Sequence, residues 1–141
     1  MNGQESRRFG YEKAALYAGV PAAILGGASW LFWGPERGTQ VSTVIASLIA
    51  GPLFSIISAK SAEESFVMGK YGRAFAENIR SSLELALGTA LTSAAVSRAL
   101  GVPDDRVLFY SASSFLAGAG YVLWRTSAIF RIPPNNVNKD S

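Results

Sequence analysis

Uncharged apolar runs, each about as long as a membrane-crossing helix, alternate with short charged blocks along this chain. Residues 14–33 (AALYAGVPAAILGGASWLFW) carry no Asp, Glu, Lys or Arg, and neither do residues 40–59 (QVSTVIASLIAGPLFSIISA) or residues 107–124 (VLFYSASSFLAGAGYVLW). A bilayer's hydrocarbon core is ~30 Å thick and takes about 20 helical residues to cross. These runs therefore predict membrane spans. A fourth and weaker run, residues 85–97, lies between Glu84 and Arg98 and is rich in Ala, Gly, Ser and Thr. The pattern predicts an all-α polytopic membrane protein. Four transmembrane helices, at about 14–33, 40–59, 82–99 and 107–125, would form two antiparallel hairpins within a membrane domain covering 14–131.

The connections carry the turn signals. "WGPERGTQ" places Gly34, Pro35 and Gly38 between the first two runs, and "GVPDDRV" places Gly101 and Pro103 between the last two, as tight turns require. Between runs two and three, Ser61 followed by Glu64 has capping-box spacing. Met68, Tyr71, Phe75 and Ile79 recur after it at helical intervals, with Lys70, Arg73 and Arg80 mostly on other faces. This predicts an amphipathic helix over about 61–80, lying at the membrane surface, with lipid headgroups bound at Lys70, Arg73 and Arg80. Residues 1–13 are expected to form a polar basic tail, and 132–141, with Pro133 and Pro134, an extended one.

Charge decides the number of crossings. Arg7, Arg8, Lys13, Lys60, Lys70, Arg73, Arg80, Arg125, Arg131 and Lys139 fall on one side if the chain crosses four times, and Arg37, Arg98 and Arg106 on the other. Loops on the cytoplasmic or matrix side carry the excess of Lys and Arg. Were the weak run not to cross, the basic C-terminal segment would sit on the wrong side. Both termini are thus expected on the positive face. Trp30 and Trp33 at one end of the first run, and Tyr121 and Trp124 at one end of the last, fit the aromatic belts of membrane interfaces. The first run is too long, and its end too bulky, for a cleaved signal peptide. Glu5 and Glu12 argue against a mitochondrial presequence, so a mitochondrial address would need internal targeting information.

Composition removes several function classes. Charged residues are 16% of the chain and hydrophobic residues 49%, and soluble domains carry roughly a quarter charged residues. There is no Cys and no His. Disulfides, thiol chemistry, zinc and haem sites on those ligands, and a histidine general base are all excluded. No catalytic constellation, phosphate loop or basic tract appears, so neither an enzyme, a cofactor, a metal site nor nucleic-acid binding is expected.

Inside a membrane, helices associate through close packing of small residues. Gly19, Ala23 and Gly27 in the first run, and Gly51, Gly88 and Gly118 in the others, are the expected packing positions. Pro21 and Pro52 would free the carbonyls of Tyr17 and Leu48, which a transport reading would treat as hinges. Glu84 and Arg98 form a possible intramembrane polar site. They stand ~21 Å apart on one helix, too far to pair, and Arg98 is expected to snorkel or to pair with Asp104 or Asp105. The hydroxyl-rich third span should be interior.

Four glycine-bearing spans in a chain of this length, with Gly26, Gly27, Gly51, Gly88, Gly118 and Gly120 as small interior positions, resemble the protein-translocase channel family of the mitochondrial inner membrane. They also resemble its relative, a four-span accessory subunit of respiratory complex I. The family's aromatic–Arg–Asp–paired-Gly motif is absent at its expected spacing, so the resemblance is one of layout. It implies a mitochondrial inner-membrane address. The expected function is a structural or accessory subunit of a larger membrane complex, an energy-converting one (respiratory chain or ATP synthase), with other membrane subunits as partners. The alternative is a small oligomeric transporter, channel or translocase-like component.

Overall fold

The computed structural model describes residues 3–127; the expected C-terminal tail, 132–141, lies outside them. Four helices follow in chain order: α1 (Gly3–Trp33), α2 (Pro35–Val67), α3 (Tyr71–Ala99) and α4 (Asp104–Ser127). Three of them, α1, α2 and α4, are long and apolar enough to cross a membrane. α3 falls short on hydropathy.

Glycine ends three of the segments, each with a left-handed backbone that other residues resist. Gly34 (φ 91°) breaks the chain after Trp33, and Pro35 opens α2 at a position where its missing N–H costs nothing. Gly69 (φ 72°) closes α2. Its N–H donates to the Phe66 carbonyl at 2.9 Å, and the Lys70 N–H to the Ser65 carbonyl at 2.8 Å. Gly101 (φ 71°) closes α3 in the same way, with Gly101 N–H to Arg98 and Val102 N–H to Ser97, both at 3.0 Å. Both are Schellman endings, in which the turn satisfies carbonyls the helix leaves open.

Gly69 corrects one expectation. No separate amphipathic helix spans 61–80. Residues 61–67 are the last turns of α2, and 71–80 the first turns of α3. The apolar spacing was real, but Phe75 and Ile79 begin a stripe that runs on through Leu83, Leu87 and Leu91 along the exposed side of α3. The N-terminal tail is corrected likewise: α1 begins at Gly3, and an Arg8–Glu12 ion pair at 3.0 Å spans one turn of it. Neither Pro21 nor Pro52 interrupts its helix.

Each helix packs chiefly on its neighbours in sequence, so α2 and α3 form the centre. The pairings run antiparallel. Between α1 and α2, Gly26 meets Ser42 near the turn and Gly10 meets Ile57 far from it. Between α2 and α3, Ser47 bonds Thr92 and Ser55 bonds Ser81. Between α3 and α4, the Thr89 hydroxyl donates to the Ser114 carbonyl (2.9 Å) and that of Ser82 to the Ala119 carbonyl (3.1 Å).

The interior is small and hydroxylic, while the outside is large and apolar. The bulkiest fully buried side chains are Ser58, Ser65 and Ser81. Leu31, Phe32, Leu116 and Val67 are 70–80% exposed. Water-soluble folds bury their leucines and phenylalanines. Here hydroxyls and glycines hold the helices together, as happens where lipid removes the hydrophobic drive for helix association. Apolar helices with this inverted packing make the chain an integral membrane protein. α3 scores low in hydropathy because its Ser, Gly, Ala and Asn residues, Asn78, Ser81, Ser82, Ala86 and Gly88 among them, are those buried against α2 and α4.

Candidate functional site: a three-helix polar cluster

One ionic group is drawn into the bundle, at the end where α1 begins, α2 ends and α3 begins. Glu84 on α3 is the hub, its side chain only 16% exposed. Its Oε2 accepts from the Ser58 hydroxyl on α2 at 2.8 Å, and its Oε1 from the Tyr11 hydroxyl on α1 at 3.2 Å. The Arg80 Nε, one turn back, donates to the same Oε1 at 3.0 Å. The Tyr11 and Ser58 hydroxyls also bond each other. The Arg80 guanidinium lies over the Tyr11 ring, 4.9 Å from its centroid, and the Phe54 ring packs against the same ring, tilted, with centroids 5.3 Å apart.

Three helices therefore share one carboxylate. A membrane-buried acid is costly alone and tolerable when paired. Arg80, more than half exposed, neutralises Glu84 while keeping its own head at the bundle surface. Because it is exposed, the ion pair itself contributes little; the hydroxyl contacts to α1 and α2 give the cluster its geometry.

Along the α2–α3 seam the cluster gives way to a close backbone contact. Beside the cluster on the α2–α3 seam, the Ser81 hydroxyl donates to the Ser55 carbonyl at 2.7 Å. One turn further, Gly51 and Gly88 touch: a Cβ on Gly51 would lie 2.9 Å from the Gly88 Cα, and one on Gly88 would lie 2.7 Å from the Gly51 Cα. Ser47 and Thr92, 2.7 Å apart, resume the seam beyond it. Both hydroxyls also bond their own helix, to Thr43 and Gly88.

The expected packing positions divide. Gly51 and Gly88 meet each other, and Gly118 lies against Thr89 and Ala86. Gly19 and Gly27 meet nothing within 4 Å, and Ala23 is exposed. The face α1 uses lies one residue earlier: Ala14, Ala18 and Ala22 are buried, and Gly26 packs on Ser42. Gly120 is likewise open. Arg98 is exposed at the far end of α3, away from Glu84, and makes no ion pair among the described residues. Lys70 and Arg73 are exposed at the α2–α3 turn.

Sequence reasoning missed Tyr11 and Ser58. Tyr11 stood in a supposed tail, and nothing in the local pattern links it to a carboxylate 73 positions on. The available signal was the four-residue spacing of Arg80 and Glu84, which permits an ion pair on one helix face.

Comparison with protein-family models, with curated proteins and with solved structures finds no match.

Proposed function

We propose that this protein crosses the bilayer four times, with both termini on the face where Lys and Arg concentrate, and serves as a structural, accessory subunit of a larger membrane complex. The observation that carries the reading is the inverted packing: polar side chains are spent on contacts between the chain's own helices, and the outside is apolar. α3 belongs among the spans in this reading. The rise from Arg80 to Arg98 is ~27 Å at 1.5 Å per residue, close to the hydrocarbon thickness. Its outward stripe is leucine-rich, and the one acid between Arg80 and Arg98, Glu84, is paired. The antiparallel contacts put Lys13, Lys60, Arg80 and Arg125 toward one end of the bundle, and Arg37, Arg98 and Arg106 toward the other, as the positive-inside rule asks.

The chain has no cysteine, so single introduced cysteines read the topology directly. Glu5→Cys and Lys70→Cys should react with a membrane-impermeant thiol reagent from one side, and Glu36→Cys and Asp104→Cys only from the other. Labelling of Lys70→Cys and Asp104→Cys from the same side would remove α3 from the membrane.

The close backbone packing of Gly51 on Gly88 and the unbroken helices at Pro21 and Pro52 support a structural role over a transport one. A surface for partners is available on α1, where Gly19, Ala23 and Gly27 face outward with nothing against them. Close backbone approach by another subunit's helix needs such a face. The narrower address, an energy-converting complex of the mitochondrial inner membrane, rests on the resemblance of layout. In a native gel of mild-detergent membranes the protein should migrate with a large complex. Gly19→Leu with Gly27→Leu should release it from that complex and leave the isolated bundle folded. Migration of the wild type as a free small protein, together with ion or solute flux in liposomes that Glu84→Gln alters, would overturn this reading.

A further inference from the structure

α2 and α4 both lie on α3 and leave a groove between them. One cavity of 360 Å³ opens at the end carrying Lys60 and Arg125 and extends down to Pro52. A second, of 320 Å³, begins at the same Pro52 and reaches Ser47 on α2 and Val96 on α3. From Lys60 to Ser47 the groove follows α2 for ~20 Å, more than one leaflet's share of a ~30 Å core.

Its two ends differ in chemistry. At the mouth stand two cations, Lys60 and Arg125, with one acid, Glu63, and the Tyr121 ring. Below them the walls are apolar: Pro52, Ile56, Leu85 and Val122, then Leu48 and Val96. On its floor the Ser55 and Ser81 hydroxyls are already bonded to each other, Ser47 and Thr92 likewise, and Thr89 donates to the Ser114 carbonyl, so most of the polar lining is engaged within the protein; Ser93 and Ser114 also line the deeper part. A basic mouth at headgroup depth over a long apolar slot has the charge pattern of one molecule type.

We propose that this groove is a binding site for one anionic phospholipid, its phosphate between Lys60 and Arg125 and one acyl chain lying along Pro52 and Leu85 toward Val96. This rests on the membrane reading above and goes beyond it. The site is distinct from the basic turn at Lys70 and Arg73, whose exposed cations line neither of these two cavities.

The test uses the full chain reconstituted in vesicles of phosphatidylcholine containing a minor share of phosphatidylglycerol, released in mild detergent and weighed by native mass spectrometry. One retained phosphatidylglycerol per chain is expected, in preference to the more abundant phosphatidylcholine. Lys60→Gln with Arg125→Gln should lower that preference about tenfold, two cations each adding a headgroup attraction that Glu63 partly offsets. Leu85→Trp, which fills the slot and leaves every charge in place, should lower lipid retention as far. Lys70→Gln with Arg73→Gln should change neither. Equal loss from the turn variant and the mouth variant would mean general annular attraction and overturn the site. A lipid-free dimer, with a second copy's helix in the groove, would overturn it too. A chain that stays soluble without detergent would instead defeat the membrane reading itself.

Discussion

Gly51→Leu is expected to separate α2 from α3 and destabilise the bundle by more than ~3 kcal/mol. The two glycines touch backbone to backbone, and a Cβ at either meets the other's Cα inside 3 Å. Neither atom can swing aside, because both belong to helix backbone at the centre of the fold. Overpacking by a methylene or so already costs ~1–3 kcal/mol where a core is tight, and leucine adds several carbons. Gly88→Leu should behave alike. Gly19→Leu, on the open face of α1, should stay within ~0.5 kcal/mol of the wild type, as exposed substitutions do. Unfolding in detergent, followed by helical circular dichroism, makes the comparison. Equal stability of the Gly51 and Gly19 variants would show that the central contact does not exist.

Glu84→Ala carries the second large effect, a loss of about 1–3 kcal/mol, as for removing the acceptor from buried donors. The Tyr11 and Ser58 hydroxyls keep each other but lose the carboxylate that binds both to α3. Arg80 contributes little to the loss, because it is exposed and can turn to water or headgroups. Glu84→Gln, which keeps an acceptor oxygen, should lose less. The cleaner measurement is a double-mutant cycle of Ser58→Ala with Glu84→Ala. Its coupling should fall near the ~0.6 kcal/mol average, and below the ~1.7 kcal/mol maximum, of interhelical hydrogen bonds in membranes. Strict additivity of the two changes would dissolve the cluster as an energetic unit, whatever the distances.

The assembly and lipid predictions complement these two. Gly51 and Glu84 act within the chain, while Gly19, Gly27, Lys60 and Arg125 face what surrounds it. A variant at the first pair should therefore fail in isolation. One at the others should fail only in a membrane or with a partner.

The apolar runs of α1, α2 and α4 were legible in the residue pattern because each is long and carries its charges toward its ends. Helix formation and the length needed to cross lipid are local properties, written within one segment. The surplus of serine, glycine and alanine in α3 also announced an inward role, since hydroxyls in a membrane seek protein neighbours. The boundary at Gly69 was present but misweighed: the apolar spacing of Met68, Tyr71, Phe75 and Ile79 spoke for one helix, and a single left-handed glycine split it. What tertiary structure alone decided is which face of each helix is used. α1 offers two small-residue stripes one position apart, Ala18–Ala22–Gly26 and Gly19–Ala23–Gly27. Both have the same spacing and nearly the same volumes, so periodicity cannot choose between them. The choice is made by Ser42 and Gly38 on α2, which accept the first stripe at backbone distance. Glu84 finds Tyr11 and Ser58 for the same reason: contact between helices depends on how surfaces distant in sequence interlock, and no single segment contains that information.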